Sequence, residues 1–152
     1  MASRFFRKAR LAIVNGTIAL PSDTLQVMLV DDTYAPAAGD EFVDDGSAND
    51  PASHEISTTG YVGGYSGNGR RTITGKTFQE DTSNDRIEFV FADVTYSALA
   101  TGATIGGAVL HKRGSSDDTT GRLIAFYDLA NTPTNGSDVT IDVDPSEGTL
   151  HL

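Results

Sequence analysis

Three histidines, His54, His111 and His151, are the only imidazoles in this chain of 152 residues, and cysteine is absent. They stand in separate stretches, without the H-x-x-x-H type of spacing that brings two ligands to one metal. Lack of cysteine removes thiol nucleophiles, disulfide scaffolds and Cys-based zinc sites together. A Ser/His/Asp set can be drawn on any chain with twelve serines, but no G-x-S-x-G elbow presents one of them as a nucleophile. Paired carboxylates for glycoside hydrolysis normally work beside several aromatics that grip the sugar. Here tryptophan is absent, and Tyr34, Tyr61 and Tyr65 are the only loop candidates for such a platform.

Two further stretches invite a test. Gly63-Gly64-Tyr65-Ser66-Gly67-Asn68-Gly69 leads into Arg70-Arg71. A P-loop requires a strand before the glycines, a helix after them and a Lys-Ser/Thr pair inside them. A strand pattern follows instead and the pair is missing, so a wide turn or a close contact between subunits is the plain reading. The run Asp40-Glu41-Phe42-Val43-Asp44-Asp45-Gly46 is rich in oxygen ligands but lacks the D-x-D-x-D-G spacing of a calcium loop. Asp117-Asp118 and Asp142-x-Asp144 fail in the same way. These readings predict no catalytic residues, no cofactor, no metal and no small-molecule substrate.

The elements that must carry these residues are legible from composition. Sixteen Asp, eighteen Thr and sixteen Gly disfavour helices and favour strands joined by turns. The longest apolar run is Leu123 to Tyr127, too short to cross a membrane as a helix. No apolar stretch long enough for a signal-peptide core precedes Asn15-Gly16, so no export signal is evident. The formal charge is −10, which speaks against nucleic acid as a partner. That sum hides an asymmetry. Arg4, Arg7, Lys8 and Arg10 give residues 1–22 a charge of +4, the remainder carries −14, and no Lys or Arg occurs from Leu11 to Gly69. A basic segment on an acidic body can dock on an acidic neighbour, including a second copy.

One helix is predicted, over residues 3–15, with Ser3 as N-cap and Asn15-Gly16 as its stop. Phe5, Phe6, Ala9, Ala12 and Ile13 share one sector of it, and the four basic residues lie outside. Such a helix packs either on its own domain or on a partner subunit; with thirteen residues and four charges it buries too little for a membrane surface. Strands are predicted at Leu25–Val30, Ile56–Val62, Arg71–Phe78, around Ile87, Phe89 and Phe91, at Ile105–His111, Leu123–Leu129, Val139–Val143 and Thr149–Leu152. Pro145 and Gly148 mark a turn before the last. Lys112-Arg113 at a strand end reads as a solvated pair. Residues 31–51 form a long acidic loop, exposed or ordered by a partner. Seven to nine short strands fit a mainly β, single-domain antiparallel β-sandwich or partly closed barrel.

Several segments, in order, resemble a family of small tailed-bacteriophage virion proteins. Phe6-Arg7-Lys8-Ala9-Arg10-Leu11-Ala12 ending at Asn15-Gly16 is similar to its opening. Leu25 to Asp31 followed by Thr33-Tyr34-Ala35-Pro36 is similar to its first strand and loop. Asp93-Val94-Thr95-Tyr96, Gly107 to Lys112, Leu123 to Asp128 and the ending Gly148 to Leu152 continue the likeness, with Tyr96 where that family commonly has Trp. The resemblance implies a non-catalytic decoration or cement protein on the outer face of a phage capsid. It would bridge neighbouring major capsid subunits and cluster as a homotrimer. Residues 1–16 would then be a basic arm on a body of residues 17–152. Phe5, Phe6 and Ile13 would anchor that arm on the shell, with Arg4, Arg7, Lys8 and Arg10 complementing its charge. The alternatives are a tail or fibre-base protein of the virion and a carbohydrate-binding β-sandwich.

Overall fold

The computed structural model describes residues 2–143, 150 and 151. Among the described residues ten strands and one α-helix follow in the order β1 (Ala2–Phe5), α1 (Arg7–Val14), β2 (Leu25–Asp31), β3 (Arg71–Thr72), β4 (Thr77–Asp81), β5 (Arg86–Val90), β6 (Val94–Tyr96), β7 (Thr104–Lys112), β8 (Arg122–Pro133), β9 (Val139–Ile141) and β10 (Leu150–His151), with a 3-10 turn at Asp118–Thr120 before β8. The mainly β expectation holds. The strands form an open five-stranded sheet ordered β1-β8-β7-β2-β3, a three-stranded sheet β10-β5-β4 and a pair β6-β9, and no closed barrel. All pairings are antiparallel.

The continuous apolar runs occupy the middle of the large sheet. Val27, Met28, Leu29 and Val30 of β2 are all buried, as are Leu123 to Tyr127 of β8. Successive side chains point to opposite faces, so both faces are covered there. One core joins these strands to Phe6, Ala9 and Ala12 at the N-terminus, to Phe89, Tyr96 and Ile141 of the smaller sheets and to Phe91 just after β5. Beyond the short β3, the open edge of β2 is completed from elsewhere. The Leu29 N–H donates to the Tyr61 hydroxyl at 3.0 Å, and the Tyr96 hydroxyl donates to the Val27 carbonyl at 2.8 Å. The Ile56 N–H donates to the Leu29 carbonyl and the Asp31 N–H to the His54 carbonyl. These bonds give buried edge groups the partners that burial demands.

The structure corrects several sequence expectations. The helix starts at Arg7, because Ala2–Phe5 is spent on a ladder with Ala125–Asp128 of β8. Ser3 therefore lies in β1, and the N-cap position falls to Phe6, which has no side-chain cap bond. The stop is as read: Asn15 is the C-cap and Gly16 takes φ +79°, where a Cβ would be strained. Residues 56–62 form no strand, only the isolated bridge Thr58–Tyr61, with a second, Val30–Glu55, just before them. Arg71–Phe78 breaks into β3 and β4 around Gly75 at φ +64°. Loop 31–51 is held by its own chain: Val43 is fully buried, Tyr34 and Asp50 nearly so, and the Val43 N–H donates to the Gly121 carbonyl at 2.9 Å. The turn expected at Pro145 and Gly148 lies outside the described residues.

Candidate functional site

The N-terminal segment belongs to the body. The β1 ladder adds it to the edge of the large sheet, and the Phe6 N–H continues the attachment to the Ile124 carbonyl at 3.1 Å. Phe6 has no exposed surface, Ala9 and Ala12 are buried, and Phe5 and Ile13 pack against the same core. Phe6 is thus no anchor on a neighbour. A phenyl ring gains as much from its own sheet as from a partner's, and the β8 edge lies beside it. The picture of a hydrophobic staple reaching out to a second molecule is corrected accordingly: this peptide folds back on its own chain.

The basic side chains stay at the surface with local roles. Arg4 donates to the Pro36 carbonyl at 2.7 Å, Lys8 lies 3.7 Å from Glu41, and the Arg10 guanidinium sits 5.4 Å from the Phe5 ring centre. Arg7 and Arg10 have no ion pair among the described residues. Lys112 and Arg113 are not a plain solvated pair. Lys112 bridges Asp23 at 2.9 Å, and Arg113 lies 4.6 Å over the Tyr65 ring.

Two clusters of polar side chains take in His54 and the glycine-rich loop with Arg70. In the first, His54 Nδ1 meets the Asp31 carboxylate at 3.2 Å and the Thr33 hydroxyl at 3.1 Å, while Thr33 donates to Asp31 at 2.6 Å. A proton relay needs its acid on one ring nitrogen and its nucleophile on the other. Here both meet the same nitrogen, and the Thr33 proton already points at the carboxylate. Burial alone would raise the Asp31 carboxyl, but bonds from the Thr33 side chain and backbone and from His54 outweigh it and hold the carboxyl below its ordinary value. The cluster clasps the end of β2 to residues 54–55.

The second cluster pins the glycine-rich loop. Arg70 donates to Glu55 at 2.9 and 2.7 Å and to Asp118 at 2.5 and 2.9 Å. Glu55 also accepts from the Tyr61 hydroxyl and the Gly64 N–H, both at 2.7 Å. The glycines are there for close packing: a Cβ on Gly69 would lie 2.5 Å from the Tyr61 ring. The loop's own contacts lie within the chain: the Gly64, Gly67 and Gly69 N–H groups donate to the Glu55 carboxylate, the Gly64 carbonyl and the Val62 carbonyl. Beside it, His111 is buried, and burial together with the Arg70 charge pushes its imidazole down to about 4. Arg70 and Glu55 escaped the sequence reading because fifteen residues of loop separate them; only a charged pair flanking a glycine run hinted at them.

A cleft of about 450 Å³ opens between the N-terminal strand and loop 31–36, with Arg4, Asp31, Tyr34, Phe126, Asp128 and Asn131 among its walls. Among the described residues no group of three or more His, Asp or Glu is placed to hold a metal ion. Nor do the tyrosines form a sugar platform: Tyr34 and Tyr61 are buried, and Arg113 covers the face of Tyr65. No described helix is long and apolar enough to cross a membrane. Compared with protein-family models, with curated proteins and with solved structures, the chain finds no match.

Proposed function

We propose that this protein is a non-catalytic structural component of a tailed-phage virion, seated on the outer face of the head, where it binds neighbouring major capsid subunits. One observation carries the reading. Apart from the Thr33–Pro36 loop and the ending Gly148 to Leu152, the segments that resemble the virion family lie in the packed framework of this molecule: Phe6 with α1, then β2, β6, β7 and the buried half of β8. A likeness confined to loops would say little. A likeness running through mutually packed elements is what shared architecture produces. The clusters of ionisable groups add support, since each is spent on pinning loops. A cement protein does no chemistry; it adds contact area between shell subunits, typically about 1,200–2,000 Å² for a stable interface. That contact would be made by the exterior of the folded body.

The test is to label this chain on intact particles and count it. Hundreds of copies distributed over the head are expected. Label restricted to the tail or fibre base, at a few to tens of copies, would transfer the role to those structures. Absence from purified particles would end the virion reading.

A further inference from the structure

Helix α1 is amphipathic in an unusual sense. Ala9 and Ala12 face the core. At about 100° per residue the opposite side presents Arg7, Arg10, Leu11 and Val14. Leu11 is 62% and Val14 86% exposed. Single aliphatic side chains are common on protein surfaces; here two adjoin on one helix face, among two arginines that have no ion pair among the described residues. Beside this stripe runs the acidic segment. The Arg7 N–H donates to the Ala38 carbonyl at 3.3 Å, and Lys8 reaches Glu41 at 3.7 Å. A few residues on, the Asp44 and Asp45 carboxylates accept the backbone N–H groups of Gly46 and Ser47, each at 2.9 Å. Among the described residues neither meets a cation.

We propose that this face is a self-association surface. The Arg7–Val14 stripe of one copy seats on the Asp44–Asp45 segment of a second copy, and the reverse contact forms across a two-fold axis. Charge complementarity selects this occupant. Four of the eleven basic residues gather on the N-terminal segment, and the rest of the chain carries −14. The complement of the stripe is therefore this protein's own surface. The basic segment and the acidic one adjoin where Lys8 meets Glu41, so each can meet its counterpart reciprocally across a two-fold axis. A threefold cluster, expected for a capsid lattice, calls instead for two complementary patches set apart. Two copies at −10 each repel at long range, so the contact is expected to be of modest affinity. It stands whether or not the protein resides on a virion.

Sedimentation velocity on the full chain tests it, at about 0.01 M and about 1 M salt, where the screening length is about 30 and 3 Å. A species of twice the monomer mass is expected at low salt, with affinity falling at least tenfold at high salt. The double variants R7E/R10E and D44K/D45K should each be monomeric. Their equimolar mixture should restore the dimer, because both contacts of the mixed pair then join opposite charges. L11S/V14S, which changes no charge, should also be monomeric. A wild-type monomer at both salts, a trimer, a variant that stays dimeric or a mixture that stays monomeric would each overturn the proposal. So would loss of particle binding by R7E/R10E with its dimer intact, which would give the stripe to the shell. Particle binding that survives loss of the dimer leaves the virion role standing.

Discussion

Arg70 lies between Glu55 and Asp118 with 3% of its side chain exposed, and Glu55 is equally covered. Removing the guanidinium strands a carboxylate away from water, so Arg70→Met should cost about 3–5 kcal/mol in urea denaturation. The Lys8–Glu41 pair is its contrast: Lys8 is 47% exposed. Lys8→Met should cost less than about 1 kcal/mol, since water screens such a pair and its side chains lose entropy on pairing. A similar loss from both would refute the distinction. His111 supplies a pH dependence with a definite sign. Its Nδ1 faces the Lys112 carbonyl at 3.3 Å and must donate; Nε2 has no partner among the described residues. The folded imidazole titrates near 4, depressed by burial and by Arg70, against 6.5 in an open chain. Above 6.5 neither state binds the proton. As pH falls from 6.5 to about 4 the unfolded chain takes it up first, so stability drops across that window, by about 3 kcal/mol in all. The acid-induced loss of wild type should exceed that of His111→Leu by about this amount; identical pH profiles would show that His111 is solvated.

At the scale of elements, the β1–α1 unit is a structural edge. It covers the β8 edge and inserts Phe6 into the core, so truncation costs the domain rather than freeing it. Phe6→Ala should lose about 3–5 kcal/mol by chemical denaturation, from lost transfer energy and the cavity left behind. Leu11→Ala, on the outward stripe, should stay within about 0.5 kcal/mol. Deletion of residues 2–14 should give a destabilised or unfolded chain by circular dichroism. A deletion that melts like the full chain would mean the segment contributes nothing to its own body.

By charge the whole molecule is an acidic body of −14 with +4 on its first 22 residues. Under the proposed role such a body acts by resisting separation of the shell subunits it touches. Particles lacking it should then release DNA at a lower temperature than complete ones, read as dye uptake during heating. Unchanged release would remove the cementing role, though not residence on the particle. The body's own cohesion rests on one apolar core shared by all three sheets.

Apolar runs long enough to be covered on both faces, at Leu25–Val30 and Leu123–Tyr127, fixed β2 and β8 from composition alone, and Asn15-Gly16 fixed the end of the helix. Local chemistry decides those features, so sequence displays them. Period and spacing also excluded metal and nucleophile motifs as local patterns. Where the leading peptide attaches was never local: Phe5, Phe6 and Ile13 are equally apolar against their own sheet or a neighbour's. Only the open edge of β8, some 120 residues further on, drew residues 2–5 into a strand and shortened the helix to begin at Arg7. The joining of Arg70 to Glu55 and Asp118, and the setting of α1 beside Ala38 and Glu41, likewise came from chain segments that meet only once the core has closed.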